Sequence, residues 1–107
     1  MITKSKINEI ANKIAINFNP EKIILFGSYA TDNPNYDSDL DFLIIQESEL
    51  PRYKRSFEIR KSLIGSMVPM DIIVYTQQEF DSEKDVKYTF INDAMKNSKL
   101  LYARSEQ

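Results

Sequence analysis

Asp39 and Asp41 stand two residues apart at the head of an apolar run, Leu40 to Ile45. On an extended strand, that spacing points both carboxylates the same way, roughly 6.5 Å apart along the chain. A third aspartate, Asp71, interrupts another apolar run, Val68 to Tyr75. A carboxylate within such a strand is expensive unless something compensates it. On a neighbouring strand about 4.8 Å away and facing the same side, Asp71 would complete a cluster of three acids. Like charges that close raise one another's pKa, and divalent cations relieve the repulsion. A pair of magnesium ions about 3.5–4 Å apart suits such a site. Magnesium takes a few carboxylates together with substrate phosphates more readily than an all-protein cage. The acids therefore predict a phosphate-bearing substrate as well as metal.

Gly27-Ser28 meets the same requirement from the other side. The pair follows the apolar run Lys22 to Phe26 and precedes a short helical turn. Glycine lets a phosphate approach the backbone closely, the start of the turn offers N–H groups, and Ser28 adds a hydroxyl. No G-x-x-x-x-G-K-[ST] loop is present. Taken singly, a D-x-D is usually a solvated strand end and a Gly-Ser usually a turn. Together with a third strand-borne acid they are more specific than their parts.

Composition narrows the chemistry further. The 107 residues contain no histidine and no cysteine. That removes Ser-His-Asp and Cys-His catalysis, disulfides and zinc sites built on imidazole or thiolate. Metal chemistry is left to carboxylates and hence to hard ions, magnesium or manganese. A net charge of −2 argues against direct nucleic-acid binding. No apolar run approaches the roughly 20 residues that span a bilayer, and the amphipathic start is unlike a signal peptide. No membrane association is expected, and a cytoplasmic setting is.

The elements that must position these residues read in order. Ile7, Ile10, Ala11, Ile14, Ala15 and Phe18 mark a helix face, with Thr3 as N-cap, an Ile2–Ile7 staple and a stop at Asn19-Pro20. Lys22 to Phe26 and Leu40 to Ile45 are strands, joined through a turn and a loop rich in Asp, Asn and Pro. Pro51 opens a helix running to about Ile64, with Tyr53, Phe57 and Ile64 (and Leu63) as its apolar stripe and Gly65 as its end. Val68 to Tyr75 is a third strand. Thr76 to Glu79 has capping-box spacing. Val86, Phe90, Ile91, Ala94 and Met95 mark a last helix, and Lys99 to Ala103 a fourth, edge strand. Arg104 to Gln107 are expected to fray. The fold class is α/β (α+β): a single domain, 1–107, with a small mixed β-sheet of three to four strands and helices mainly on one face.

Phe26-Gly27-Ser28-Tyr29-Ala30, ten residues between Ser28 and Asp39, and Ser38-Asp39-Leu40-Asp41 resemble the GS-x10-D-x-D signature of the DNA-polymerase-beta-like nucleotidyltransferases. Pro69 to Val74 resembles that superfamily's third-carboxylate strand. Length and ending are similar to those of the minimal nucleotidyltransferases, small domains often encoded beside a helical HEPN partner. The resemblance spans Asn19 to Tyr102. It implies transfer of a nucleoside monophosphate, AMP from ATP, to an acceptor hydroxyl with two Mg2+ ions (or Mn2+). Gly27 and Ser28 would bind the triphosphate, Asp39 and Asp41 would ligate both metals, and Asp71 would ligate one and help deprotonate the acceptor. In relatives of this kind the acceptor is a tyrosine of a HEPN toxin and the transferase is its antitoxin. Thr31-Asp32 stands where many relatives have Arg-Gly, which removes one phosphate contact but no metal ligand. Two alternatives stay open: a non-catalytic antitoxin of the same fold, and a subunit that nucleotidylates a small molecule of the aminoglycoside kind.

Arg52, Lys54, Arg55, Arg60 and Lys61 crowd the third helix against Glu58 alone. A solvated face is the plainer expectation; a docking surface for triphosphate or an acidic partner is the other. A chain this short leaves a nucleotide and an acceptor incompletely enclosed. A HEPN-domain protein or a second copy of the chain is therefore expected to close the site.

Overall fold

Ile7, Ile10, Ala11 and Ile14, spaced along one helical face, are the buried residues of helix α1 (Lys4–Phe18) in a computed structural model that describes residues 1–31 and 33–105. The Thr3 side chain accepts from the Lys6 N–H at 3.1 Å, filling one orphan donor of the first turn. Asn19 enters the left-handed region at φ 45° and its N–H closes on the Ala15 carbonyl, which ends the helix before Pro20.

Four strands follow: β1 (Lys22–Phe26), β2 (Leu40–Ile45), β3 (Met70–Tyr75) and β4 (Lys99–Ala103). They form one mixed sheet in the order β3-β2-β1-β4. β1 runs antiparallel to β2 and β4, and β2 runs parallel to β3. The parallel pair needs a crossover, and the chain between Ile45 and Met70 supplies it with α2 (Arg52–Arg55) and α3 (Phe57–Ser62). After β3 come α4 (Gln77–Glu83) and α5 (Phe90–Met95). The capping box at Thr76 forms in full.

The alternation of β2 divides the core in two. Leu40, Phe42 and Ile44 face the larger cluster, with Ile23, Leu25, Ile72 and Val74, under α1 and α3. Leu43 and Ile45 face a smaller one, with Ile24 and Tyr75, under Phe80 of α4 and Ile91 of α5. Most of the helical packing is thus on one face, as the pattern suggests, but α4 and α5 also roof part of the other. Among the described residues no helix is long and apolar enough to cross a membrane.

The segment after Pro51 departs from expectation. It breaks at Ser56 into two short helices. Of the expected stripe, Tyr53, Phe57 and Ile64 are exposed and Leu63 alone is buried, packing with Ile59, four residues before it. The arginines explain why. β3 is an edge strand whose outward carbonyls lack a strand partner. Arg55 donates to the Val74 carbonyl at 3.3 Å and Arg60 to that of Ile72 at 3.1 Å. Arg55 also binds Glu79 at 2.6 Å, while Arg52 reaches Glu79 at 3.3 Å and lies 3.9 Å from the Tyr75 ring centroid. Arg52, Lys54, Arg60 and Lys61 are exposed, as a solvated face requires, yet through Arg55 and Arg60 the run also has a structural task. It clips the crossover to the sheet edge and blocks further strand pairing there. Expected fraying holds no better at Arg104, whose N–H donates to the Glu21 carbonyl at 2.8 Å; Glu106 and Gln107 lie outside the described residues.

Candidate active site

Register brings the acids together. In the parallel pair β2–β3, Asp41 is directly opposite Asp71, so their side chains leave the sheet on the same face. Phe26, the residue before Gly27, is the register partner of Asp41 on the other side. Asp39 precedes β2 and is exposed. The Leu40 N–H, bonded to the Pro69 carbonyl at 3.1 Å, ties the chain beside Asp39 to the entry of β3. Asp39, Asp41, Asp71 and Gly27 thus lie at one end of the sheet, past the roof formed by α4 and α5.

Gly27 is required twice over. Its φ of 76° is unfavourable for any residue with a side chain. A Cβ there would also collide with the Asp41 carboxylate, standing 3.1 Å from its Cγ. The bare backbone lets the acid lie against the turn. That single 3₁₀ turn, Ser28–Ala30, is held from below. Tyr29 and Ala30 are buried in the larger core, and the Tyr29 hydroxyl accepts from the Ile2 N–H at 3.2 Å. Above, the Thr31 hydroxyl donates to the Ser28 carbonyl at 2.7 Å. Thr31 therefore locks the turn with its own hydroxyl. Its neighbour Asp32 lies outside the described residues.

The electrostatics follow from the placement. Burial, then Asp71, then Asp39 push the Asp41 carboxyl above its usual 3.8. The cluster is loose: among the described residues no three acidic side chains are gathered closely enough to hold one ion as they lie. Asp71 is turned outward, with 61% of its side chain exposed and Oδ1 3.9 Å from Arg60. Repulsion between the acids and the pull of Arg60 account for this. The donor set still suits a hard divalent ion: three carboxylates, one of them disfavoured as a bare anion, beside a turn with no Cβ in the way.

Two features were invisible to sequence reasoning. Arg60 is Asp71's neighbour, although the basic run gave no sign of which acid it would meet. A cleft of about 520 Å³ also extends from Gly27, Ser28 and Thr31 to α5 and the turn after it, where Phe90, Asp93, Ala94 and Asn97 line it. The last helix reads from its pattern as packing alone, because a residue lining a cleft and a residue closing a core share the same period.

A mixed four-stranded sheet carrying acids on paired strands beside a Gly-Ser turn defines a domain of the nucleotidyltransferase type. The family model described as Polymerase beta, Nucleotidyltransferase matches residues 6–107, and the chain belongs to that family. Its fold is similar to that of a Sulfolobus solfataricus protein provisionally described as a nucleotidyltransferase, with a TM-score of 0.64 and 24% identity over 94% of this chain and 79% of that one. No curated protein matches the chain.

Proposed function

We propose that the chain is a metal-dependent nucleotidyltransferase that moves a nucleoside monophosphate, AMP from ATP, to a hydroxyl. The observation that carries this reading is the direct opposition of Asp41 and Asp71 on one face of a parallel strand pair, against a glycine that cannot bear a side chain. Asp39 and Asp41 would hold both Mg2+ ions (or Mn2+), and Asp71 one of them. Bound there, the metals supply charge neutralisation for the phosphates and lower the acceptor hydroxyl's pKa. Gly27 and Ser28 receive the triphosphate through backbone and hydroxyl. Asp71, the most exposed of the paired acids, accepts the acceptor's proton. The acceptor oxygen then bonds to the α-phosphorus as the bond to pyrophosphate breaks.

The acceptor is read as a tyrosine of a HEPN-domain partner, with this chain as the antitoxin of a cytoplasmic two-component pair. That reading rests on the resemblance of the GS-x10-D-x-D stretch to minimal nucleotidyltransferases. The experiment incubates the chain with labelled ATP, Mg2+ and a HEPN-domain protein as candidate acceptor, and measures label and mass of that protein. A gain of one nucleotide unit, lost in both Asp39→Asn and Asp71→Asn, is expected. Transfer surviving both substitutions would overturn the catalytic assignment. Neutralisation of the partner without any transfer would favour the non-catalytic reading, for which the Asp71–Arg60 pairing is the observation.

A further inference from the structure

The metal-and-phosphate reading accounts for the Gly27 side of the cleft and leaves the α5 side unexplained. A larger hollow, about 840 Å³ along α1, offers no alternative. It is lined by one convex helix and has none of the acids of the site. The cleft beside Ser28 is different in kind. It is bounded by separate elements, and its roughly 520 Å³ falls within the range of pockets that enclose small ligands.

Its two ends differ chemically. At one end lie the Gly27 backbone and the Ser28 hydroxyl, adjoining Asp41. At the other, α5 presents an aromatic ring, a small residue and the Asp93 side chain, and Asn97, just past its end, adds a second polar group. Phe90 is fixed by an edge contact with Phe26 (centroids 5.4 Å, planes at 85°) and a tilted one with Tyr75 (5.9 Å). It nevertheless keeps 38% of its surface exposed. A ring held by its neighbours but open on one side is a platform for a flat partner, and it pays little entropy to receive one. Ala94 leaves room above it. The Asp93 carboxylate, 3.2 Å from Lys96, repels phosphate and accepts hydrogen bonds from amino or hydroxyl groups. Asn97 provides both donor and acceptor. Phosphates are therefore directed to the Gly27 end, and a planar, hydrogen-bonding group to the α5 end.

We infer that α5 is the nucleoside-reading element of this domain, with the base of the triphosphate stacked on Phe90 and its polar edge or ribose facing Asp93 and Asn97. This rests on the proposed nucleotidyl transfer and adds to it the residues that would distinguish a nucleotide from a bare polyphosphate. Base–aromatic stacking is sequence-tolerant, so Phe90 would give affinity for every base, and Asp93 and Asn97 the preference among them.

The test is calorimetric titration of the full chain, with Mn2+, using a nonhydrolysable ATP analogue and inorganic tripolyphosphate in parallel. The analogue should bind about tenfold more tightly, the scale of one stacked base. Ala94→Phe, which fills the cleft, and Phe90→Leu, which removes the platform but keeps an apolar side chain, should each bring the analogue down to the affinity of tripolyphosphate. Binding of tripolyphosphate should not change, which also shows that each variant is folded. Asp93→Asn should alter the ranking of ATP, GTP and CTP. Equal affinity of the two ligands for the wild type, or undiminished analogue binding by both cleft variants, would overturn the inference and leave the phosphate site standing. Absence of binding by either ligand would overturn the nucleotide reading itself.

Discussion

Replacing Asp41 with asparagine should stabilise the protein while it abolishes transfer. The side chain is half-buried and faces two other acids, and its carboxyl is raised by burial first, then by Asp71 and Asp39. A carboxyl whose folded pKa lies above its unfolded value favours folding at pH below the unfolded value. That advantage is lost as pH rises through the folded one. At neutral pH the Asp41 charge therefore opposes folding. Strand geometry puts Asp71 about 5 Å away and Asp39 about 6.5 Å. At an effective dielectric nearer water than protein, as the exposure of both partners requires, the nearer repulsion is about 1 kcal/mol and the farther about three-quarters of that, before salt screening reduces both. Asparagine keeps the shape and removes the charge. The expected gain is about 1 kcal/mol, a rise in Tm of about 4 °C or more for a domain of this size.

The assay is thermal unfolding at low ionic strength of wild type and Asp41→Asn, at pH 7 and near pH 3.5, with and without Mn2+. The variant should melt higher at pH 7, and the gap should shrink in acid, where the carboxyl becomes largely protonated in both folded and unfolded chains. Metal should stabilise the wild type by about 1.4 kcal/mol when free metal is ten times its Kd, raising its Tm accordingly, and leave the variant nearly unmoved. A variant less stable than wild type at pH 7, or a gap that persists unchanged in acid, would refute the electrostatic account of the site.

Gly27→Ala should destabilise by about 2 kcal/mol or more, since it imposes the φ of 76° on a residue with a Cβ and drives that Cβ into Asp41; chemical denaturation measures it, and transfer activity should be lost as well. Glu79 is held down to about 2 chiefly by its hydrogen bond from Arg55. Its contribution is present above the usual carboxylate value and is lost as pH falls from about 4.5 to about 2. Glu79→Gln keeps the capping box but loses the ion pair, so it should cost about 2 kcal/mol at pH 7 and flatten this part of the acid-unfolding profile.

Strand bounds were legible because period and punctuation agree. Lys22–Phe26, Leu40–Ile45 and Lys99–Ala103 fold as strands over the residues their patterns mark, and Thr3 and Thr76 cap the helices they precede. The face each aspartate occupies was also legible, since alternation alone decides it. Direct pairing of Asp41 with Asp71 was not. It depends on β3 lying parallel beside β2, which is a property of the sheet order and not of either strand. The helix after Pro51 was misread for a related reason. Tyr53 and Phe57 are apolar at helical spacing, but the energy is set by Arg55 and Arg60 satisfying the carbonyls of an edge strand, which turns those aromatics outward.

These two facts belong to one design. A site of converging acids pushes its own strands apart, so something else must hold them in register. β2 does this through alternation: each residue that faces the acids is flanked by one sealed in the larger core, with Leu40, Phe42 and Ile44 all fully buried. β3 has only one strand neighbour, and there the arginines act as the other, with Arg60 binding the Ile72 carbonyl while its guanidinium lies 3.9 Å from Asp71. The same residue thus secures the edge and offsets the charge next to it. The cost of gathering acids is thus met by the opposite face of the sheet and by its edge, while the Gly27 backbone itself stays open to phosphate.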